Sequence, residues 1–190
     1  MDLFAGQPQT IVADDEGGIR YFPDVVAADV AARWFAVLHD GVAWESVQRP
    51  MYERIVDVPR LLARHDLDRL PAPLATVVAE MAAVVRSRAP APYTSLGLNL
   101  YRDGRDSVAM HGDKLHTIVD GQPIALLSLG AARRMLVKSK RPGSRAIAID
   151  LQPGSLLVMS HFSQRTHEHG IPKTRSAAGP RISAVFRCRR

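Results

Sequence analysis

Side chains that can bind a metal ion recur in the second half of the chain. His111 and Asp113 stand two positions apart in "SVAMHGDKLH", and two further histidines, His167 and His169, flank a glutamate in "QRTHEHGIPKT". In an extended segment, His111 and Asp113 point to the same side. A His-x-Asp pair with one distant histidine is the ligand set of the 2-His-1-carboxylate facial triad, which holds non-haem Fe(II) and leaves positions open. The alternative is that these are polar residues in surface loops.

The segment "PRISAVFRCR" places two arginines on one face of a predicted strand. Arg181, Ser183, Val185 and Arg187 alternate with apolar residues, so the two arginines would point to the same side. Inside a barrel they would need anionic partners, because an unpaired buried charge is costly. A 2-oxo acid co-substrate brings such a partner, since it chelates the metal and offers a distal carboxylate to a guanidinium. The alternative is an edge strand whose arginines lie in water.

The composition predicts a globular protein. The chain has 190 residues, of which 46% are hydrophobic and 23% are charged, and these values fit one domain over residues 1–190. Cys188 is the single cysteine, which excludes a disulfide framework within the chain and a cysteine-rich zinc site. The first residues lack a basic start and a long apolar run. We therefore expect neither a signal peptide nor a membrane segment, and a monomer in the cytoplasm.

The positive charge of the chain is concentrated in its second half. Residues 1–92 carry 9 Lys+Arg against 13 Asp+Glu, a net charge of −4, whereas residues 93–190 carry 16 against 6, a net charge of +10. A basic surface is typical of proteins that bind nucleic acid, because binding releases counterions from the phosphates. A basic protein without a polyanionic partner is the alternative.

Two helices and several strands are predicted from the hydrophobic pattern. The segment "PDVVAADVAARWFAVLHDG", residues 23–41, places its apolar residues on one helical face, and "LATVVAEMAAVVRSRA" predicts a second helix between Pro73 and Pro90. Residues 42–67 between them favour strands or a lid-like loop. From residue 93 onward, short β-branched and leucine-rich segments separated by turns predict a sandwich or barrel. The fold class is thus mainly β with flanking α, with the helices against one sheet.

Several motifs then resemble one known family in both order and spacing. From about Val58 to Arg187, roughly two-thirds of the chain, the sequence resembles the AlkB family of Fe(II)- and 2-oxoglutarate-dependent dioxygenases. The matching segments are "VPR" (58–60), "NLYRDG" (99–104), "HGD" (111–113), "IALLSLG" (124–130), "LQPGSLLVMS" (151–160), "HGIPK" (169–173) and "PRISAVFR" (180–187). The resemblance implies a double-stranded β-helix, or jelly roll, over residues 93–190, preceded over residues 1–92 by an N-terminal extension with a nucleotide-recognition lid.

The resemblance also implies the site residues and the cofactors, which are Fe(II), 2-oxoglutarate and dioxygen. The iron ligands correspond to His111, Asp113 and His169; His169 matches, and not His167, because it directly precedes "GIPK". The contacts to 2-oxoglutarate correspond to Asn99 and Tyr101, with Arg181 pairing with a carboxylate of the co-substrate and Arg187 as the second arginine of that strand. Two positions depart from the family pattern. Ser183 stands where DNA-repairing members commonly have asparagine, and His167 and Glu168 stand where aromatic residues are frequent.

The resemblance implies oxidative demethylation of alkylated bases. Hydroxylation of an N-methyl group gives an unstable hemiaminal that releases formaldehyde, while 2-oxoglutarate becomes succinate and carbon dioxide. The target base must leave its stack to reach the site. We expect His111 to stack on this base as well as bind iron, and Tyr52, in "RPMYER", to contact it unless Tyr52 only packs in its loop. Candidate phosphate contacts are Arg102, Arg105, Lys114, Arg133, Arg134, Lys138, Lys140 and Arg141.

The expected substrate is DNA that carries 1-methyladenine or 3-methylcytosine. The resemblance and the basic second half favour this substrate over the alternatives. The first alternative is the same chemistry on RNA, including tRNA, or on a protein side chain. The second is a nucleic-acid-binding module without catalysis, which is disfavoured because every expected ligand position is filled.

Overall fold

The computed structural model describes residues 7–51, 54–176 and 178–190. Within these ranges the chain forms strands, helices and one 3-10 turn at Leu115–Thr117. The helices are α1 (Ala28–Gly41), α2 (Ala72–Arg88) and the one-turn α3 (Ser163–Thr166). The strands are β1 (Gln9–Val12), β2 (Ile19–Phe22), β3 (Glu45–Met51), β4 (Arg54–Asp66), β5 (Ser95–Tyr101), β6 (Val108–His111), β7 (Ile124–Gly130), β8 (Arg133–Ser139), β9 (Ile147–Leu151), β10 (Leu156–Met159), β11 (His167–Ile171) and β12 (Arg181–Arg187).

The strands form two antiparallel sheets that enclose a core. The large sheet has the order β1-β2-β10-β7-β12-β5-β4-β3, and the small sheet has the order β6-β11-β8-β9. Tyr101 and Val185 of the large sheet share one buried apolar cluster with Val137 and Ile171 of the small sheet. The inner faces of the two sheets therefore pack on each other, as in a β-sandwich. The predicted jelly roll with N-terminal helices is confirmed.

The two long helices cover the outer face of the large sheet. Trp34 of α1 and Met81 of α2 are buried in a second cluster, together with Leu98 of β5 and Ala184 and Phe186 of β12. Successive residues of a strand point to opposite faces, so Ile182, Ala184 and Phe186 meet the helices while Arg181, Ser183 and Val185 point between the sheets. The predicted alternation along this segment is confirmed. None of the described helices is long and apolar enough to cross a membrane.

The structure differs from the sequence-based expectations in three places. Helix α1 begins at Ala28 rather than at residue 23, because Asp24 has a positive φ of 52° and the backbone N–H groups of Val25 and Val26 donate to the Gly154 carbonyl. Strand β12 lies in the middle of the large sheet, so the edge-strand alternative for its arginines is wrong. Strands β1 and β2, which the hydrophobic pattern did not reveal, extend the large sheet beside β10.

Candidate metal and co-substrate site

The register of the small sheet brings the two histidines of the predicted triad together. His111 of β6 and His169 of β11 are direct cross-strand partners, and their ring centroids lie 4.6 Å apart. Asp113 follows two residues after His111. Among the described residues, ligand atoms of His111, Asp113 and His169 all lie within 4.8 Å of one another. This arrangement brings together two imidazoles and one carboxylate, which is the ligand set of a facial triad for non-haem Fe(II).

Each of the two histidines can present an unprotonated ring nitrogen to a metal ion. Nδ1 of His111 lies 2.8 Å from the Ala109 carbonyl oxygen; since a carbonyl only accepts, Nδ1 carries the proton and Nε2 is left as the ligand atom. His169 is buried, and burial lowers its pKa to about 4, with the nearby His111 and Arg187 acting in the same direction and Asp113 opposing them. At neutral pH, His169 is therefore uncharged and able to coordinate a metal.

Asp113 is held by Arg187, the last residue of β12. Nε of Arg187 donates to Oδ2 of Asp113 at 2.8 Å, and both side chains are largely buried. Burial on its own would raise the pKa of Asp113, but the charge and the hydrogen bond of Arg187 outweigh it, with help from His169 and His111, so that the pKa lies below its ordinary value. The carboxylate is thus ionised at neutral pH. The contact with co-substrate expected for Arg187 stays a prediction, since the structure shows it paired with Asp113.

Arg181 is a fully buried cation with unused hydrogen-bonding capacity. One terminal nitrogen donates to Ser128 Oγ at 3.0 Å, and the guanidinium lies 5.2 Å from the centre of the Tyr101 ring. Its Nε and its other terminal nitrogen are buried without a hydrogen-bond partner in the described part of the chain. Burial lowers the pKa of Arg181 to about 10, which leaves the group charged at neutral pH. A carboxylate is the anionic partner with which such free N–H donors form strong, charge-assisted hydrogen bonds, so the distal carboxylate of 2-oxoglutarate fits.

The strand pairing places the other predicted co-substrate residues beside Arg181. Tyr101 of β5 is the direct cross-strand partner of Arg181. Two residues away on each strand, Asn99 of β5 pairs with Ser183 of β12. The Asn99 side-chain oxygen accepts from Nε of Arg60 at 2.9 Å. The sequence did not predict this contact between Arg60 and Asn99, although Arg60 is the last residue of the matching segment "VPR". Ser183, the departure from the family pattern, is buried and leaves a shorter side chain at this position.

Tyr52, the predicted contact to the base, lies outside the described residues.

The candidate phosphate contacts differ in their surroundings. Arg133 was expected to contact phosphate, but it is buried and donates to the carbonyls of Asp103, Asp106 and Pro172 at 2.8–2.9 Å. It shares a strand face with Met135 and Val137, and this pattern could have revealed its burial. Lys114, Lys138, Lys140 and Arg141 are exposed, although the Lys140 amine also donates to the Gln164 carbonyl.

His167 lies away from the metal ligands. Its Nδ1 is 2.9 Å from the Thr166 hydroxyl, and its side chain lines a cavity of about 640 Å³ together with Lys140, Arg141 and Phe162. Burial lowers the pKa of His167, against an opposing effect of Asp14. Since His169 and not His167 joins His111 and Asp113, the geometry supports the choice of His169 as the third ligand.

Comparison with known proteins identifies a matching family and several similar proteins. A family model described as the 2OG-Fe(II) oxygenase superfamily matches residues 37–189. The DNA oxidative demethylase ALKBH2 of Homo sapiens is 33% identical over 97 residues, which are 47% of this chain and 37% of that protein. The alpha-ketoglutarate-dependent dioxygenase alkB homolog 3 of Mus musculus is 33% identical over 103 residues, 50% of this chain and 36% of that protein. The matches thus span about a third of each curated relative, and they confirm the resemblance to the AlkB family.

Solved structures share the fold at low sequence identity. OsALKBH1 superposes with a TM-score of 0.61 at 17% identity and covers 96% of this chain and 100% of that chain. The alpha-ketoglutarate-dependent epimerase SnoN from nogalamycin biosynthesis gives a TM-score of 0.62 at 16% identity over 90% of this chain and 78% of that chain. Because an epimerase shares the architecture, the fold alone does not specify the substrate.

Proposed function

We propose that this chain, which belongs to the 2OG-Fe(II) oxygenase superfamily, removes methyl groups oxidatively from N-alkylated bases of DNA, with 1-methyladenine and 3-methylcytosine as the expected lesions. The observation that carries the chemistry is the cluster of His111, Asp113 and His169 together with the unsatisfied guanidinium of Arg181. When bound, Fe(II), 2-oxoglutarate and dioxygen would supply the oxidation: one oxygen atom of dioxygen would hydroxylate the methyl carbon, which leaves as formaldehyde, and the other would enter succinate as 2-oxoglutarate loses carbon dioxide.

Each residue of the site has one task in this proposal. His111, Asp113 and His169 would hold Fe(II) and leave coordination positions open for co-substrate and oxygen. Arg181 binds the distal carboxylate of 2-oxoglutarate and thereby sets its orientation. Arg187 keeps Asp113 ionised and directed at the metal, as partners of metal ligands commonly do.

Nucleic acid is the favoured substrate because of the charge near the site. The hairpin from β8 to β9 carries four exposed cations between residues 138 and 145, namely Lys138, Lys140, Arg141 and Arg145, and no acidic residue. Strand β8 pairs with β11, which supplies His169. Lys114, directly after Asp113, is also exposed. Cations at these positions can contact the phosphates on either side of an extruded nucleotide. DNA is favoured over RNA by the relatives named DNA oxidative demethylases.

The decisive experiment uses oligonucleotides that carry 3-methylcytosine. The assay compares three substrates of the same sequence: single-stranded DNA, double-stranded DNA and single-stranded RNA. Each is incubated with protein, Fe(II), 2-oxoglutarate and ascorbate in air, and the masses of the products are measured by mass spectrometry. We expect DNA to lose one methyl group only when 2-oxoglutarate is present, and His169→Ala to leave the DNA unchanged. Loss from RNA without loss from DNA would establish the alternative substrate. Succinate formation with no demethylation of either polymer would reject the proposal for nucleic acid.

A further inference from the structure

The backbone of Asp113 is held by a side chain remote in sequence. The Asp113 N–H donates to Oε1 of Gln164 at 3.0 Å. The Gln164 side chain is buried, being 3% exposed, and its Nε2 donates to the hydroxyl of Ser163 at 3.1 Å. Because a backbone N–H only donates, the amide oxygen of Gln164 must face Asp113, which fixes the orientation of the amide.

The loop of the metal ligands fits closely against helix α3, which carries Gln164. A Cβ atom at Gly112 would lie 2.8 Å from the Gln164 carbonyl oxygen and 3.5 Å from the Lys140 amine. Only glycine lets the backbone between His111 and Asp113 approach α3 to this distance. The presence of glycine in "HGD" is therefore explained by this contact.

A series of hydrogen bonds continues from Gln164 to the N-terminal turn. The Ser163 N–H donates to Oγ of Ser160 at 2.9 Å, and the Ser160 hydroxyl donates to Oδ2 of Asp14 at 2.6 Å. Oδ1 of Asp14 accepts from the backbone N–H of Gly18 at 2.7 Å. Ser160 and Ser163 are both buried. Asp14 precedes the region that matches the family model, residues 37–189, so a segment outside that region supports the loop of the metal ligands.

We propose that Gln164 is a positioning residue for the metal site, which fixes the peptide of Asp113 so that its carboxylate and the His111 ring meet His169 in one geometry. Arg187 holds the carboxylate of Asp113, and Gln164 holds its backbone, so the ligand is fixed from both sides. Without the amide oxygen, the part-buried N–H of Asp113 would lack this acceptor and the loop would shift toward water. Removal of groups that orient metal ligands lowers metal affinity by roughly 10- to 100-fold.

The test is the affinity for Mn(II), a divalent ion that does not oxidise in air, measured from the electron paramagnetic resonance signal of the free ion. Gln164→Met keeps the length of the side chain and removes the acceptor, and we expect it to bind Mn(II) roughly 10- to 100-fold more weakly than the wild type. Gln164→Glu keeps an acceptor oxygen and is expected to bind Mn(II) at least ten times more tightly than Gln164→Met. The assay needs no nucleic acid, so its result is independent of the proposed substrate.

The matched control is Tyr93→Phe. This variant also removes one buried hydrogen bond to the backbone, from the Tyr93 hydroxyl to the Ala89 carbonyl at 3.0 Å, and Tyr93 lies in the cluster under the helices. We expect its Mn(II) affinity to equal that of the wild type. Wild-type affinity in Gln164→Met, or an equal loss in Tyr93→Phe, would overturn the proposal. If Gln164→Met does not fold, Gly112→Ala perturbs the packing of the same loop on the Gln164 backbone carbonyl; unchanged Mn(II) affinity in that variant would show that the position of the loop against α3 does not control the metal site, which would also overturn the proposal.

Discussion

Replacing Arg181 with methionine is expected to stabilise the protein in the absence of co-substrate. Arg181 is fully buried, and burial lowers its pKa from its ordinary range to about 10. A base whose pKa is lowered by folding destabilises the folded state at every pH below the folded pKa, and this penalty is relieved only as the pH rises through about 10 toward the pKa of the unfolded chain. At 1.36 kcal/mol per pKa unit, the penalty at neutral pH is about 3 kcal/mol.

Methionine has a similar volume but no charge, so it removes this penalty. It also loses the hydrogen bond to Ser128 and the contact with the Tyr101 ring, at about 1 kcal/mol each. The net stabilisation is thus roughly 1 to 2 kcal/mol, which raises the Tm by roughly 2 to 8 °C in a chain of this size. In other proteins, replacing buried charged groups by apolar residues of similar volume often leaves stability unchanged or raises it.

The same variant is expected to lose the response to co-substrate. Two N–H groups of Arg181 lack partners among the described residues, and hydrogen bonds between charged groups contribute about 1.5 to 3 kcal/mol each. Their loss lowers the affinity for 2-oxoglutarate by roughly 100- to 10,000-fold. In the presence of Mn(II), 2-oxoglutarate at 100 times its Kd should stabilise the wild type by about 2.7 kcal/mol and leave Arg181→Met unchanged.

Differential scanning calorimetry with and without 2-oxoglutarate checks both expectations. Arg134→Met is the matched control, because it removes an arginine that pairs with Asp150 at the surface. A surface ion pair of this kind contributes little to folding stability. The Tm and the response to co-substrate should therefore stay near those of the wild type. A lower Tm for Arg181→Met without co-substrate would show that the guanidinium already has adequate partners. An undiminished response to 2-oxoglutarate would refute the assignment of Arg181.

Three further predictions concern the same region. His169→Ala should abolish turnover by removing a metal ligand, and retained activity in the oligonucleotide assay would point back to His167. Arg187→Met should weaken Mn(II) binding by roughly 10- to 100-fold, since Asp113 loses its partner; a binding titration with unchanged affinity would contradict this. Arg133→Met leaves three carbonyl oxygens without their donor and should destabilise the protein by more than about 2 kcal/mol, and chemical unfolding with a smaller change would contradict its structural role.

The sequence predicted those parts of the site that depend on local spacing. His111 and Asp113 are neighbours in the chain, and the alternation along β12 depends only on the two-residue period of a strand. Predicting that His111 and His169 lie together also required the family resemblance, because the pairing of their strands cannot be read from either segment alone. Gln164 was not found, since its bond to Asp113 joins residues 51 positions apart and no periodic pattern marks it. Strands β1 and β2 were missed because each has only four residues.

The substrate must be decided by residues outside the metal ligands. The fold is shared with an alpha-ketoglutarate-dependent epimerase, so the architecture does not select a methylated base. The pairing of β4 with β5 sets Arg64 opposite Gly97, and a Cβ at Gly97 would lie 3.2 Å from a terminal nitrogen of Arg187. Because cross-strand partners share a face, the exposed Arg64 lies on the same face as the residues of the co-substrate site. If the proposed nucleic-acid substrate is correct, specificity is expected to depend on β4 and on the basic β8–β9 hairpin, whose charges would contact the polymer and not the reacting methyl group.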